Sequence, residues 1–250
     1  MTRFELSQSL TSSLQLTRPP VAVALAESLP AGVSSYSGRV PAGCQFWQEA
    51  TTQVFATSRP DHDTCAIGQY THNLGFSEAS QKDLGDALKV FADLGYVREQ
   101  DLPLIPVLGT QPRHVVYGPL DQMPLEPAVV LLFVRADQQL ILSEATQQVE
   151  GGAAPALGRP ACAIVPQAVN TGRAALSLGC CGARAYVDAL TPDVALYAIP
   201  GEKLEAYADR LTALAQANAI LTKFHELRRR DIAAGGSPSI AESLVVLQNS

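Results

Sequence analysis

The stretch AVVLLFV, residues 128–134, constrains the fold of this chain more than any other. It has no charge, glycine or proline, and its valines favour extended backbone. A continuous apolar run of this length reads as a strand buried in a core. It is far short of the roughly 20 apolar residues that a membrane span requires. The other strands expected are VAVAL at 21–25, between Pro20 and Pro30, then HVVYGPL at 114–120, CAIVPQ from Cys162, and VALYAIP at 194–200.

Helical periods separate these runs. Phe4, Leu6, Leu10, Leu14 and Leu16 outline a helix over residues 1–16, stopped by Arg18-Pro19-Pro20. The segment CQFWQEATTQVFAT (44–57) opens at Cys44 and places Phe46, Trp47, Ala50 and Val54 at helical spacing. QKDLGDALKVFADLG (81–95) repeats Leu84, Leu88 and Phe91 and ends on Gly95, a helix with a glycine stop. A further helix is expected over 136–149. A long one follows over 201–231, with Leu204, Tyr207, Leu211, Leu214, Leu221, Phe224 and Leu227 as a core-facing stripe or a dimer-forming face. Arg228, Arg229 and Arg230 sit at its C-terminal end, where cations suit the helix dipole.

Strands alternating with helices imply an α/β or α+β architecture. The expectation is one mixed-sheet layered domain over residues 1–234 with a long C-terminal helix, and a mobile tail over 235–250. The apolar fraction of 47% is that of a folded globular chain. A net charge of −6 with no basic stripe excludes an ordinary nucleic-acid binder. The first twenty residues lack a continuous hydrophobic region, so no signal peptide or membrane anchor is read there, and a cytoplasmic location is expected. In that reducing compartment the five cysteines are expected to be free, catalytic or metal-bound.

Familiar site motifs are missing. There is no GxGxxG after a strand, no phosphate-binding Walker loop, no GxSxG and no HExxH. GCCG at 179–182 has the form of a GxxG clamp but lacks the basic residues that phosphate requires. His62, Cys65 and His72 lie on one loop and offer zinc-type donors, without the second close pair that structural zinc sites show.

The cysteines are distributed unevenly. Cys44 ends a loop and opens a helix, whose N-terminus favours the thiolate. Cys65 precedes Gly68 in a polar loop. Cys180 and Cys181 share a glycine turn, and Cys162, among Ala161, Ala163 and Ile164, reads equally as a small core residue. Functional groups gather at such element ends because loops converge above a rigid scaffold.

Several segments carry a family resemblance: RPPVAVALAESLPAG, CQFWQEA at 44–50, CAIGQYTHNLGF at 65–76, RPACAIVPQAV at 159–169, SLGCCGAR at 177–184 and YAIPGEKLEAYADRL at 197–211. In their order and spacing the chain resembles the family called domain of unknown function 169, an ArCR-type group, over about residues 19–215. The resemblance implies that Cys44, Cys65, Cys162 and Cys180 form the positions of interest, with Cys181 a variable neighbour. It implies no reaction.

Four thiolates from separate segments suit an iron–sulfur cluster of the 4Fe–4S type, with zinc the less favoured metal. Three ligands would leave one iron open to a substrate atom. Arg184 is then the expected clamp for a small anion, with Asn170 and Ser177 adding polar contacts. Two other readings stand beside this one. In the first, the protein is a metal-free thiol enzyme with Cys180 or Cys181 as nucleophile. In the second, it is a small-ligand binding or regulatory module with dispensable cysteines.

Overall fold

The computed structural model describes residues 1–157 and 159–236. Its seven strands are β1 (Val21–Ala26), β2 (Phe55–Thr57), β3 (His114–Pro119), β4 (Val129–Val134), β5 (Ala156–Leu157), β6 (Ala175–Ser177) and β7 (Ala195–Pro200). They form one mixed sheet in the order β2-β3-β1-β4-β7-β6-β5. All neighbours are antiparallel except β5 and β6, which run parallel at one edge. With about as much helix as sheet can cover on two faces, the fold is α+β.

The apolar run at 128–134 is the middle strand β4, and every residue of β4 is buried. Its alternation splits the core in two. Val130, Leu132 and Val134 face one layer, and Val129, Leu131 and Phe133 face the other. β1 and β7 divide in the same way: Ala22, Ala24, Tyr197 and Ile199 go to the first layer, and Val21, Val23, Leu196 and Ala198 to the second.

Helices cover the first face. They are α1 (Arg3–Leu14), α5 (Ala136–Glu150) and the first half of α7 (Leu204–Ala233). A capping box between Thr2 and Glu5 starts α1, and Leu6, Leu10 and Leu14 form its buried stripe. The stripe on α7 changes character along its length. Leu204, Tyr207 and Leu211 are buried, whereas Ile220, Leu221 and Leu227 are exposed although Phe224 is buried. The core-facing reading thus describes residues 204–214, with Phe224 buried beyond them.

Short elements and loops cover the second face: α2 (Gln45–Glu49), α3 (Ala66–Thr71) and α6 (Ile164–Thr171), with α4 (Glu78–Asp93) packed outside α3. Two segments differ from their sequence reading. The helix expected over 44–57 stops after Glu49, and at its end the Thr51 and Thr52 hydroxyls donate to the Gln48 and Glu49 carbonyls. Phe55–Thr57 then pairs with β3 as a strand. CAIVPQ is not a strand either. Ala161–Ala163 is a 3-10 turn that runs into α6, and Pro166 occupies the first turn of that helix. Proline is tolerated in a helix's first turn, whereas a central strand has no place for it.

The expected mobile tail lies mainly outside the described residues. Among the described residues no helix is long and apolar enough to cross a membrane.

Candidate functional site

The second face of the sheet carries a cavity of about 70 Å³, with room for several water-sized bodies. Cys44, Cys65, Cys162 and Cys180 all line it, and each arrives on a different segment. Cys44 precedes α2, Cys65 precedes α3, Cys162 sits in the turn before α6, and Cys180 follows β6 just before a π-helical turn at Gly182–Tyr186. Tyr117 of β3 and Trp47 of α2 complete the apolar wall. Cys181 points elsewhere and is exposed.

Burial is the largest influence on three of these thiols. It pushes Cys44 up to about 12 and raises Cys65 and Cys162. Neighbouring thiols act in the same direction on Cys44, Cys65 and Cys162. No lysine or arginine among the described residues lines the cavity to offset this. The expectation that a helix N-terminus would favour a Cys44 thiolate is therefore overturned. α2 has only five residues and Cys44 is buried, so the loss of water outweighs a short helix's dipole.

Two histidines belong to the same cavity. His62 and His72 are buried, and burial lowers them to about 3 and about 4 respectively, so both rings are neutral near pH 7. Their hydrogen bonds fix the tautomers. Thr57 Oγ1 donates to the Val115 carbonyl at 3.2 Å, so it accepts at 3.0 Å from His62 Nε2. His62 Nδ1 is left as an unprotonated nitrogen with no partner. His72 Nδ1 donates to the Gly68 carbonyl at 3.1 Å, leaving its Nε2 likewise bare. The Thr71 hydroxyl, beside His72, lies 3.2 Å from the Gly68 carbonyl and 3.3 Å from Cys162 Sγ, and its one proton serves either acceptor.

Glycines keep this space open. A Cβ on Gly68 would lie 3.1 Å from Cys65 Sγ and 3.7 Å from His62 Nδ1. One on Gly43 would lie 3.4 Å from the same nitrogen and 3.9 Å from the same sulfur. The cavity is thus a cradle of soft and borderline donors, with four thiols, two bare imidazole nitrogens and no carboxylate. As the side chains are disposed, no group of three or more His, Cys, Asp or Glu among the described residues is set to hold a metal ion.

The anion-clamping residues expected from sequence lie outside the cavity. Arg184 donates to the carbonyls of Leu178, Thr191 and Val194 and ties the π-turn to the start of β7. Asn170 bridges to Val107 O and Gly109 N. Ser177 is buried in β6 and accepts from Gly179 N. The sequence trio His62, Cys65 and His72 does come together, but around all four cysteines rather than as a separate site. Thr57 and Thr71 carry no sequence motif. Thr57 lies five residues before His62 and Thr71 directly before His72, spacings that single out neither.

A mixed sheet with a thiol-lined cavity on one face defines a cysteine-cradle α+β protein. The chain belongs to the DUF169 family, described as uncharacterised ArCR, whose model matches residues 9–210. Searches of curated proteins and of solved structures found no match.

Proposed function

We propose that this is an iron–sulfur protein in which Cys44, Cys65, Cys162 and Cys180 hold a 4Fe–4S-type cluster. The observation that carries the reading is the convergence of these four thiols, from four separate segments, on one cavity that contains no hard oxygen anion. Thiolate is the usual ligand of such clusters. A single tetrahedral ion holds its sulfurs roughly 3.8 Å apart, as Zn–S bonds of about 2.3 Å require. A cluster places its own irons and sulfides between them, so its ligands stand further apart. No group among the described residues is disposed to hold a single ion, so the reading rests on the donor chemistry of the shared cavity.

The chain's own residues supply the surroundings. Raised thiols stay protonated until a cation arrives, and a bound metal takes the thiolate and releases the proton. Thr71 lies within donating distance of the Cys162 sulfur, the kind of hydrogen bond that tunes a cluster's potential. Once bound, the cluster would supply an electron-transfer centre or, with one iron open, a Lewis acid.

Anaerobic expression followed by iron, zinc and acid-labile sulfide assays tests the reading. The expected protein is brown, with iron and sulfide in equal amounts. Cys44→Ser, Cys65→Ser, Cys162→Ser and Cys180→Ser should each reduce both, and Cys181→Ser should not. Protein that binds neither iron nor sulfide under these conditions would end the proposal.

One observation favours a second reading. The bare His62 and His72 nitrogens share the cavity with Cys65 and are donors that zinc accepts. Stoichiometric zinc without sulfide, lost in His62→Ala, would establish that reading instead.

A further inference from the structure

Against the cysteine cavity lies a second, larger pocket of about 450 Å³, within the range of small-molecule sites. The two share Ile67, Pro160, Cys180 and Gly182, so these residues form a common wall between the pocket and the cavity. Its outer wall is the excursion between α3 and β3. Leu88 and Phe91 of α4 face it, and so do Tyr96, Val97, Leu102 and Ile105 beyond. These side chains are half-buried although no structural core lies beneath them, and α4 has no fully buried apolar residue. The helical stripe read from the sequence therefore lines a space rather than filling one.

Two charged groups line the pocket, and their partners differ. Asp101 is held by Arg98 through two bonds, Nε–Oδ2 at 2.7 Å and Nη2–Oδ1 at 2.9 Å. Arg159 has no ion-pair partner among the described residues. Its guanidinium lies over the Tyr96 ring, 3.3 Å from the centroid, and Nη1 donates to the Tyr96 carbonyl. Stacking and that single bond fix the plane. Among the described residues the Nε and Nη2 edge makes no hydrogen bond, and that edge is the two-point fork that matches a carboxylate.

We propose that this pocket binds a small organic carboxylate with an aliphatic or aryl body. Arg159 holds the carboxylate, Leu88, Phe91 and Ile105 enclose the body, and the inner end faces Cys180. The inference rests on the cluster reading only for what lies at that inner end. It moves the anion contact from Arg184, whose donors serve the backbone, to an arginine with a free edge.

The test compares phenylacetate with phenylacetamide, which share a body and differ in charge. Both are titrated by calorimetry into the full chain, iron-reconstituted and metal-free in parallel. Cys181, exposed on the pocket's rim, reports occupancy through its rate of alkylation by iodoacetamide. Phenylacetate should bind and slow that alkylation, and the amide should do neither at equal concentration. Arg159→Gln should weaken binding about tenfold or more, as loss of a charged hydrogen-bond pair implies, with Arg159→Lys in between. Leu88→Trp, which fills the pocket, should remove binding while the circular dichroism spectrum stays unchanged.

The proposal is overturned if acetate, hexanoate and phenylacetate all fail to bind. It is equally overturned if Arg159→Gln binds them as tightly as the parent. Binding by a chain that takes up no iron or sulfide would leave the carboxylate pocket standing and end the cluster reading. A brown protein that binds none of the three acids would do the reverse.

Discussion

Lowering the pH should unload the second face of the sheet before it disturbs the first. Burial takes His62 to about 3 and His72 to about 4, against an ordinary histidine value of 6.5. Depressed folded-state values mean that the unfolded chain takes up protons first. The stability these rings support is complete above the unfolded value and is lost as the pH falls toward the folded ones. From pH 7 to 4.5 each ring then removes roughly 2.5 kcal/mol, together roughly 5 kcal/mol, at 1.36 kcal/mol per unit. That is comparable with the whole stability of many domains, about 5–15 kcal/mol. The carboxylates Glu5, Asp137 and Asp193 are exposed and held below their ordinary values by hydrogen bonds, so their contribution is lost in the same direction. Urea denaturation of chelator-treated protein at half-unit pH steps measures the effect. The slope should approach two protons per chain near pH 5.5, and His62→Leu should halve it. A stability flat from pH 7 to 4.5, or a native imidazole at these positions titrating near 6.5 by NMR, would refute the reasoning.

Three further outcomes follow from the same packing. Gly68→Ala places a methyl group against Cys65 Sγ and His62 Nδ1, so iron and sulfide content should fall while helical circular dichroism is kept. At pH 8 iodoacetamide should modify Cys181 quickly in folded, metal-free protein and leave Cys44 intact, with all five thiols reacting in urea, as mass spectrometry would count. Gly201→Ala would set its Cβ 1.7 Å from the Pro127 carbonyl oxygen, backbone that has no room to retreat, and should cost at least about 1–3 kcal/mol in thermal denaturation.

Most of the sheet could be read from the chain because its central strands are buried on both faces. β1, β4 and β7 are continuous apolar runs, and nothing in tertiary packing competes with that reading. The edges were harder. β5 has two residues and β2 three, too short for any period to register, and each exists only because a longer strand lies beside it. The apolar run at 162–167 carried no information about its own period. Pro166 was the available sign, and it marks a helix start as readily as a strand end.

The site divides along the same line between local and long-range information. That cysteines should matter followed from where they fall, at element ends. That Cys162 faces the cavity did not, because its alanine neighbours describe a core residue equally well. Arg184 shows the converse error. A guanidinium next to a glycine turn suggests a ligand, yet the turn itself exposes carbonyls at Leu178, Thr191 and Val194 that need donors, and the arginine meets them first. Arg159 looks unremarkable in sequence beside Pro160. Only the fold shows that Tyr96, from the far side of α4, pins one edge of its guanidinium and leaves the other edge open. A cation already engaged by backbone is structural, whereas one held flat with a free fork is prepared for an anion. Sequence points to Arg184 and passes over Arg159, so the carboxylate titration of Arg159→Gln against Arg184→Gln separates them: the first should lose binding, and the second should lose stability.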